Sequence, residues 1–310
     1  MTSNNSISPT SPTQLQSEVK HTDFAQDANL GLTLDVGLYI VSTPIGNLRD
    51  ITLRALDVLT HCDHILAEDT RQSLKLLSHY KIKTSLSPYH DHNAAKRVPK
   101  LVESLKEGKT LALISDAGTP LVSDPGYKLV QAALEAGVNV VPVPGASAVL
   151  AALTLSGLPS ERFSFGGFLP PKSAARKRKL ESYSSTLGTL IFFETGPRLA
   201  ASLTDIKTVL GDRPMALTRE LTKRYEEGRY GHISEVLETV KSAPPKGEIV
   251  ICIGPLADHG RWEPAQVIAA LPDMISELGV KRASESLAND AGWAKRDVYQ
   301  LALQLKNNKL

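Results

Sequence analysis

The sequence predicts an α/β protein with two domains and a small C-terminal helical segment. Three observations lead to this prediction. From Leu38 onward, short β-prone apolar runs alternate with amphipathic stretches of helical period, which is typical of a parallel sheet covered by helices. After Pro159, several strand-like runs follow one another without an intervening helix, which indicates a mixed sheet. The last stretch, from about 263 to 310, is helical in pattern throughout.

The composition is that of an ordinary soluble globular protein. The 310 residues suffice for about two domains, with 42% apolar and 22% charged residues. The net charge of +2 is too small to indicate a polyanionic partner by itself. Cys62 and Cys252 lie in apolar surroundings, which argues against a disulfide framework or a zinc site and suits a reducing compartment. The chain contains no run of about 18 apolar residues, so we predict no membrane span.

The chain is expected to divide into four segments. Residues 1–36 are rich in Ser, Thr, Asn and Gln and lack the features of a secretion signal, so we expect a disordered tail. An N-terminal α/β domain is expected over 37–157 and a second α/β domain over 158–260. A helical segment of helix-turn-helix type is expected over 261–310.

The first domain is expected to contain five strands. Their sequences are LYIVST, HILAE, SLSPYH, TLALIS and VNVVPVP. Pro88 favours an edge position for the third strand, because proline donates no hydrogen bond to a neighbour. Helices are expected within TLRALDVLT, SLKLLSHY, 94–107, PGYKLVQAALEAG and AVLAALTLSG. In the first helix, the spacing of Leu53, Leu56 and Leu59 indicates a buried face.

Local signals predict the ends of two of these helices. Asn93 is a candidate N-cap for the third helix, in which Pro99 must lie in the first turn or produce a kink. For the fourth helix, Asp124 suits the N-cap and Pro125 suits the first helical position. Gly137 suits the end of that helix.

The second domain is expected to contain a mixed sheet. Its candidate strands are RFSFGGF, TLIFFET, PMALTREL, KRYEEGRYG and EIVICIG. Helices are expected around 173–185, 198–210 and 233–242.

Loops rich in glycine, proline and aspartate follow four strands of the first domain. They cover 43–47, 68–71, 115–126 and 144–147. The carboxyl ends of parallel strands share one edge of a sheet, where ligands of open α/β sheets bind. Tight turns between strands and helices need the same residue types, so each loop alone is explained by its turn. The convergence of all four favours a ligand site.

The loop sequences restrict the ligand. There is no G-x-x-x-x-G-K-[ST] motif for a triphosphate and no G-x-G-x-x-G motif for a nicotinamide cofactor. A nucleoside that carries an amino-acid tail fits better, and S-adenosylmethionine is such a molecule. Its sulfonium is a cation, which carbonyl oxygens and a carboxylate suit better than lysines do.

Several motifs together resemble one known family. They are LYIVSTPIGNLRDIT, AEDTR, HDHN, LISDAGTPLVSDPG, VPVPGASA, GLPSERFSFGGFLP, ELTK and KGEIVI. In order, spacing and identity they closely resemble the ribosomal RNA small subunit methyltransferase I family of the tetrapyrrole methylase superfamily. The resemblance extends from about Leu38 to the C-terminus and leaves out only the tail.

This resemblance implies a fold, an activity and partners. It implies two α/β domains of tetrapyrrole-methylase type, with a cleft between them that holds S-adenosylmethionine. It implies a cytoplasmic homodimer that methylates the ribose 2′-hydroxyl of a cytidine in the decoding region of 16S small-subunit ribosomal RNA. A membrane or DNA partner is not expected.

The resemblance also assigns cofactor contacts. In the first domain they are Pro44, Gly46, Asp116, Ala117, Gly118, Thr119, Leu121, Val122, Gly145, Ala146 and Ser147. In the second domain, general superfamily geometry assigns Phe193, Leu217 and Gly247. Members that act on tetrapyrroles have a Gly-Asp-Pro pattern where this chain has Ser115 to Gly118, and this departure favours the RNA-modifying branch.

Methyl transfer to a hydroxyl is an in-line displacement, in which the protein positions the hydroxyl and takes up its proton. The candidate catalytic residues are Glu68, Asp69, Arg71 and Lys223. Glu68 and Asp69 are favoured because they leave the second strand at the ligand edge. An alternative of equal weight is that Asp69 caps the next helix and Arg71 pairs with it. The HDHN motif is interpreted as a structural or RNA-contacting element, and no metal is expected.

Clustered cations are candidates for RNA contacts. They are Lys172, Arg176, Lys177, Arg178, Lys179, Arg198, Arg219, Lys295 and Arg296. The alternatives are a solvated helix face for the cluster at 172–179, a charged hairpin near Arg219, and a helical cap for the C-terminal pair.

Two other functions stay open from the sequence. One is a methyltransferase for a tetrapyrrole or another small molecule, which the modest net charge allows. The other is an RNA-binding assembly factor that has lost the chemistry, which the intact set of loops argues against.

Overall fold

The computed structural model describes residues 33–255 and 262–307. Most of the predicted tail, residues 1–32, lies outside the described residues, as does the predicted boundary between the second domain and the helical segment. The chain divides into two compact units, Met1–Ser147 and Ala148–Leu310.

The first unit contains the predicted parallel sheet of five strands. The strands are β1 Gly37–Val41, β2 His64–Ala67, β3 Leu86–Pro88, β4 Thr110–Ile114 and β5 Val140–Val143. Their order is β3-β2-β4-β1-β5, so the proline-containing β3 lies at an edge, as predicted. The helices are α1 Leu53–His61, α2 Thr70–His79, α3 Asp91–Lys106 and α4 Tyr127–Glu135, with a short 3₁₀ helix at Leu48–Asp50.

Both faces of this sheet are buried under helices. Neighbouring residues of β1, Leu38 and Tyr39, belong to two separate apolar clusters. The cluster with Tyr39 includes side chains of α1 and α2, and the cluster with Leu38 includes side chains of α3 and α4. Two buried faces explain why the strands consist of nearly continuous apolar runs.

The predicted buried face of α1 is partly wrong. Leu53 is 65% exposed, and the buried residues of the helix are Ala55, Val58 and Leu59. Leu53 is the first residue of the helix, and the buried residues begin only at Ala55. Thr52 caps this end by accepting a hydrogen bond from the backbone of Ala55 at 3.1 Å.

The predicted starts of α3 and α4 are also wrong. His90 is the N-cap of α3, and its backbone N–H donates to the side chain of Asn93, which lies in the first turn. Pro99 therefore lies inside the helix. Gly126, with φ of 142°, is the N-cap of α4, so Asp124 and Pro125 belong to the preceding turn. At α3 the capping box between His90 and Asn93 starts the helix earlier than predicted, and at α4 the loop after β4 continues through Pro125.

The second unit contains the predicted mixed sheet. Its strands are β6 Phe163–Phe168, β7 Thr189–Thr195, β8 Pro214–Arg219, β9 Glu227–His232 and β10 Glu248–Ile253. Their order is β6-β7-β10-β8-β9, with β6 parallel to β7 and the other pairs antiparallel. The helices before the C-terminal segment are α5 Ala148–Ser156, α6 Ser173–Glu181, α7 Gly196–Leu210 and α8 Ile233–Ser242.

Helix α5 packs against β8 and β10 of the second sheet. The division between the units falls before this helix, whereas the sequence analysis assigned it to the first domain. The opposite face of the sheet carries the main core, in which Phe192, Leu217 and Ile251 pack with side chains of α7 and α8.

The C-terminal helices form a core of their own. They are α9 Pro264–Ala291 and α10 Lys295–Asn307, and α9 is interrupted at Gly279, where φ is 73°. Gly292 ends α9 in the left-handed conformation, as the predicted turn required. Leu271, Leu287 and Val298 are buried in the shared core. Among the described residues, no helix is long and apolar enough to cross a membrane.

Candidate functional site

The loops after β1 and β4 are joined by backbone hydrogen bonds. Thr43 N donates to Gly118 O at 2.8 Å, and Gly118 N donates to Thr43 O at 3.0 Å. The Thr43 hydroxyl also donates to Ser115 O at 3.2 Å. These bonds hold the two loops as a short ladder beyond the ends of the strands.

The loop after β5 is bonded to the same ladder. The hydroxyl oxygens of Ser42 and Thr119 are 2.9 Å apart, and the Thr119 hydroxyl donates to Ala146 O at 3.3 Å. A Cβ at Gly145 would lie 2.9 Å from the Cβ of Ser42, closer than real Cβ contacts. Glycine is therefore needed at 145 because the two loops approach each other closely.

The loop after β2 completes the set. Asp69 N donates to the Asp116 carboxylate at 3.0 Å. The four loops that the sequence indicated thus lie together at the carboxyl edge of the sheet. We call residues 42–47, 68–71, 115–126 and 144–147 the rim.

The part of the rim after β4 has an unusual backbone. Leu121 and Ser123 have φ values of 73° and 71°, a region that side-chain-bearing residues rarely adopt. Gly126 has a φ of 142°, which side-chain-bearing residues rarely adopt, so this tight turn also depends on glycine. Strained backbone of this kind is concentrated at ligand sites.

Two carboxyl groups of the rim have raised pKa values. Burial raises the pKa of Asp124 to about 6, the charge of Asp116 adds to this rise, and a hydrogen bond from Ser115 opposes it. Burial, followed by the charges of Asp124 and Asp116, also raises the pKa of Glu68. Glu68 was predicted to lie in the site, whereas Asp124 was predicted only as a helix cap, although only two residues separate its SDPG motif from the SDAGTP motif of the same loop.

Asp69 and Arg71 are engaged with each other. Asp69 Oδ1 accepts from the backbone N–H of Arg71 at 2.9 Å, and Asp69 Oδ2 lies 2.8 Å from Arg71 Nη2. The side chain and the backbone of Arg71 lower the pKa of Asp69 to about 2. A carboxylate with so low a pKa is a poor proton acceptor, so the capping alternative describes Asp69 better than the catalytic prediction does.

The other rim residues differ in exposure. Pro44 and Gly118 are buried, and Thr119, Leu121, Ala146 and Ser147 are half-buried. The predicted cofactor contacts of the rim that are exposed are Gly46, Asp116, Ala117, Val122 and Gly145.

Of the predicted cofactor contacts in the second unit, Leu217 is contradicted. Its side chain is fully buried in the core, and its backbone lies in the paired strand β8, so it has no surface for a ligand. Phe193 is half-buried and contacts the rings of Phe165 and Phe168. Gly247 is exposed with φ of 93°.

Lys223 lies in a charged, strained turn. Its Nζ is 3.2 Å from Glu220 Oε1 and 3.0 Å from Glu248 Oε2. Burial alone would lower the pKa of Lys223, but the hydrogen bonds to Glu248 and Glu220 raise it. Glu220 and Thr222 have φ values of 51° and 64°. Lys223 therefore remains a cation.

Arg176 is contradicted as an RNA contact. It is 3% exposed, and its Nη2 lies 2.7 Å from Asp205 Oδ2 inside the second unit. Lys179 and Arg198 are also turned inward, since each donates to backbone carbonyl groups.

The remaining cations vary in their availability. Arg219 pairs with Glu227, and Lys295 pairs with Glu285 at 2.7 Å. Lys177 is half-buried, 3.5 Å from Asp205. Lys172, Arg178 and Arg296 are exposed. The described residues contain no group of three His, Cys, Asp or Glu side chains that could hold a metal ion.

Comparisons with known proteins agree with this architecture. The model of the family Tetrapyrrole (Corrin/Porphyrin) Methylases matches residues 37–237. A crystal structure of the cobalamin biosynthetic enzyme cobalt precorrin-4 methyltransferase aligns with a TM-score of 0.53 at 18% identity, covering 70% of this chain and 94% of that one, and this likeness concerns the fold alone.

Two curated relatives carry the same name. Ribosomal RNA small subunit methyltransferase I of Mesorhizobium japonicum is 48% identical over 276 residues, which cover 88% of this chain and 94% of the relative. The protein of that name from Haemophilus influenzae is 47% identical and covers 86% of this chain and 96% of its own length. The chain therefore belongs to the tetrapyrrole methylases and, within them, to the ribosomal RNA small subunit methyltransferase I family.

Proposed function

We propose that this protein methylates the 2′-hydroxyl of a cytidine ribose in the decoding region of 16S ribosomal RNA, with S-adenosylmethionine as the methyl donor. The observation that carries the proposal is the 48% identity to a relative named for this RNA, over 88% of this chain. The ribose hydroxyl and the cytidine come from the motif resemblance. Enzymes of the tetrapyrrole methylase family use S-adenosylmethionine.

The rim of the first unit fits this cofactor in its chemistry. Among its residues are the carboxyl groups of Glu68, Asp69, Asp116 and Asp124, whereas Arg71 is its one cation. A sulfonium cation is stabilised beside such groups. The exposed Gly46 and Gly145, with the backbone of the rim, leave carbonyl and N–H groups accessible to the amino-acid tail and the ribose.

When bound, the cofactor supplies a methyl group attached to a sulfonium. The neutral thioether that remains after the transfer is a good leaving group. The residues of this chain would position the ribose hydroxyl and accept its proton. Glu68 is the favoured acceptor, since a half-buried carboxylate with a raised pKa is a stronger base than Asp69. The proton would pass from the hydroxyl oxygen to a Glu68 oxygen and then to water. Asp69 and Arg71 would instead fix the loop that carries Glu68.

RNA contacts would come from the exposed cations. Lys172, directly before α6, Arg178 of α6 and Arg296 of α10 are exposed and accessible to phosphates. We further propose a homodimer that acts in the cytoplasm on the small ribosomal subunit. These partners follow from the family resemblance.

A labelling experiment tests the proposal. The full chain is incubated with methyl-labelled S-adenosylmethionine and with small ribosomal subunits, naked 16S RNA or tetrapyrroles, and the subunits come from cells that lack this gene. We expect label in the RNA, at a cytidine ribose that resists alkaline cleavage. Label in the base rather than the ribose, or no label in either RNA sample, would contradict the proposal.

A second candidate is methyl transfer to a tetrapyrrole. The family description, Tetrapyrrole (Corrin/Porphyrin) Methylases, favours it. The Ser115 to Gly118 stretch, which replaces the Gly-Asp-Pro pattern, argues against it. Label in the tetrapyrrole sample alone would establish this candidate instead.

A further inference from the structure

Three phenylalanine rings lie together on one face of the second sheet. Phe193 contacts Phe165 with ring centres 4.8 Å apart and Phe168 with ring centres 5.4 Å apart, both edge to face. Phe165 of β6 pairs with Ile191 of β7, and Phe168 pairs with Phe193. Between these two pairs β6 has one residue more than β7. The extra residue is a β-bulge, and it brings both phenylalanines to the same side. Gly167, with φ of 63°, allows the bulge.

Cations hold the segment that carries this bulge. Lys179 Nζ donates to Gly166 O and to Phe168 O, the latter at 2.9 Å. Arg198 donates to Leu169 O, and Arg176 Nη1 donates to Pro170 O and Pro171 O, both at 3.2 Å. Segment 165–171 is therefore fixed in one shape before any ligand binds. Fixing a contact residue in advance reduces the entropy cost of binding.

The fixed segment leaves one aromatic ring open to solvent. Phe168 is 51% exposed, whereas Phe165 and Phe193 are half-buried behind it. An exposed phenyl ring that neighbouring rings support from the side suits flat stacking rather than insertion into a core.

Exposed cations follow Phe168 along the chain. Lys172, four residues further on, and Arg178 of α6 are exposed. Lys179, next to Arg178, is turned inward and links α6 to the Phe168 segment, because its Nζ donates to Gly166 O and Phe168 O. An aromatic ring together with exposed cations is the combination that binds single-stranded nucleic acid, with a base on the ring and phosphates on the cations.

We propose that Phe168 is a stacking platform for an unpaired base of the RNA substrate, with Lys172 and Arg178 on the neighbouring phosphates. This inference rests on the proposed function, because it takes the RNA as the substrate. Sequence-specific RNA binding uses unpaired, splayed bases in this way. The platform would position the strand and would take no part in the chemical step.

The test compares Phe168→Ala with Phe163→Ala in the full chain. Phe163 is the matched control, since it is 43% exposed at the other end of the same strand. The probes are a single-stranded 16S decoding-region oligonucleotide with one 2-aminopurine, the same strand in a duplex, and small ribosomal subunits. Binding of S-adenosylhomocysteine and the thermal unfolding midpoint are measured for each variant.

We expect Phe168→Ala to weaken single-strand binding by at least about fivefold, the lower end for stacking of one base. Phe168→Trp should retain the affinity, and Phe163→Ala should match the wild type. These three proteins should quench 2-aminopurine, and Phe168→Ala should not. The affinity for S-adenosylhomocysteine and the unfolding midpoint should not change.

Three results would overturn the inference. They are equal RNA affinity of Phe168→Ala and wild type, a loss of S-adenosylhomocysteine affinity instead, and a change from dimer to monomer as the main effect. If the wild type still methylates the RNA in these cases, the proposed function stands and the platform fails. A wild type that neither binds nor methylates RNA would refute both.

Discussion

Arg176 and Asp205 form an ion pair inside the second unit. Arg176 Nη2 lies 2.7 Å from Asp205 Oδ2, and the two side chains are 4% and 8% exposed. The pair joins α6 to α7, and Ser173 adds a hydrogen bond of 3.1 Å to the same carboxylate. Without Arg176, the buried Asp205 carboxylate would keep only Lys177, at 3.5 Å, and the Ser173 hydroxyl as partners, so its charge would be poorly compensated.

We therefore expect Arg176→Ala to lower the free energy of unfolding by about 3–5 kcal/mol. Arg178→Ala, a change of an exposed cation two positions away, should alter it by no more than about 0.5 kcal/mol. Urea denaturation followed by circular dichroism measures both variants. If Arg176→Ala were as stable as the wild type but bound RNA more weakly, the original prediction of an RNA contact would be right.

Asp124 should make the stability depend on pH. Its pKa is raised from 3.8 to about 6 in the folded protein, so the folded state holds this proton to a higher pH than the unfolded chain does. The resulting stabilisation is complete below the unfolded pKa and is lost as the pH rises through about 6.

The variant Asp124→Asn has no such titration. Its stability relative to the wild type should therefore increase by about 1–3 kcal/mol between about pH 4 and about pH 7.5. Urea denaturation at the two pH values checks this, with Asp273→Asn at an exposed position of α9 as the control. A relative stability that does not change with pH would contradict the raised pKa.

Cofactor affinity should depend on the same carboxyl group. A sulfonium near the rim favours the ionised form of Asp124, so the affinity for S-adenosylmethionine should increase, by up to about tenfold, as the pH rises through about 6. S-adenosylhomocysteine lacks the sulfonium charge and should change less. Calorimetric titration of both ligands gives the two profiles. Parallel profiles would show that the sulfonium lies away from Asp124.

The close approach at Gly145 gives a steric test of the rim. A Cβ there would lie 2.9 Å from the Cβ of Ser42, so Gly145→Ala must push the loops after β1 and β5 apart. We expect a loss of S-adenosylmethionine affinity of about tenfold, a scale typical of small displacements in a binding site. The double variant with Ser42→Gly removes the crowding and should recover part of the loss. No loss in Gly145→Ala would place the cofactor away from this part of the rim.

The exposed cations should determine the salt dependence of RNA binding. Lys172→Ala with Arg178→Ala should weaken binding to all sequences and reduce the slope of log affinity against log salt by roughly 0.7 for each lost phosphate contact on a single strand. Lys241→Ala, an exposed lysine of α8, is the control. Fluorescence anisotropy at several salt concentrations measures the slopes. An unchanged slope would exclude phosphate contacts at Lys172 and Arg178.

The arrangement of the rim could be predicted because it depends on topology alone. Strands buried on both faces form continuous apolar runs, and parallel strands bring their carboxyl ends to one edge. The role of Asp124 could not be predicted in this way. Asp-Pro is a good local start for a helix, but Gly126, which alone accepts a φ of 142°, takes the N-cap and leaves Asp124 in the rim.

The inward cations were missed for a different reason. Arg176 belongs to a continuous run of charged residues, and its partner Asp205 is 29 positions away, so no local pattern distinguishes it from its exposed neighbour Arg178. The role of Phe168 was not predicted either. In a regular strand Phe165 and Phe168 would point to opposite faces, and only the bulge at Gly166 and Gly167 puts Phe168 beside Phe193.

The cations that hold segment 165–171 have a consequence for local opening. Arg176 and Lys179 anchor the segment to α6, Arg198 anchors it to α7, and the Arg176–Asp205 pair links the two helices. A fluctuation that frees the segment must therefore break bonds to both helices at once. The ring of Phe168 lies at the surface, yet its backbone should resist hydrogen exchange as strongly as the helices behind it, as part of one cooperative unit.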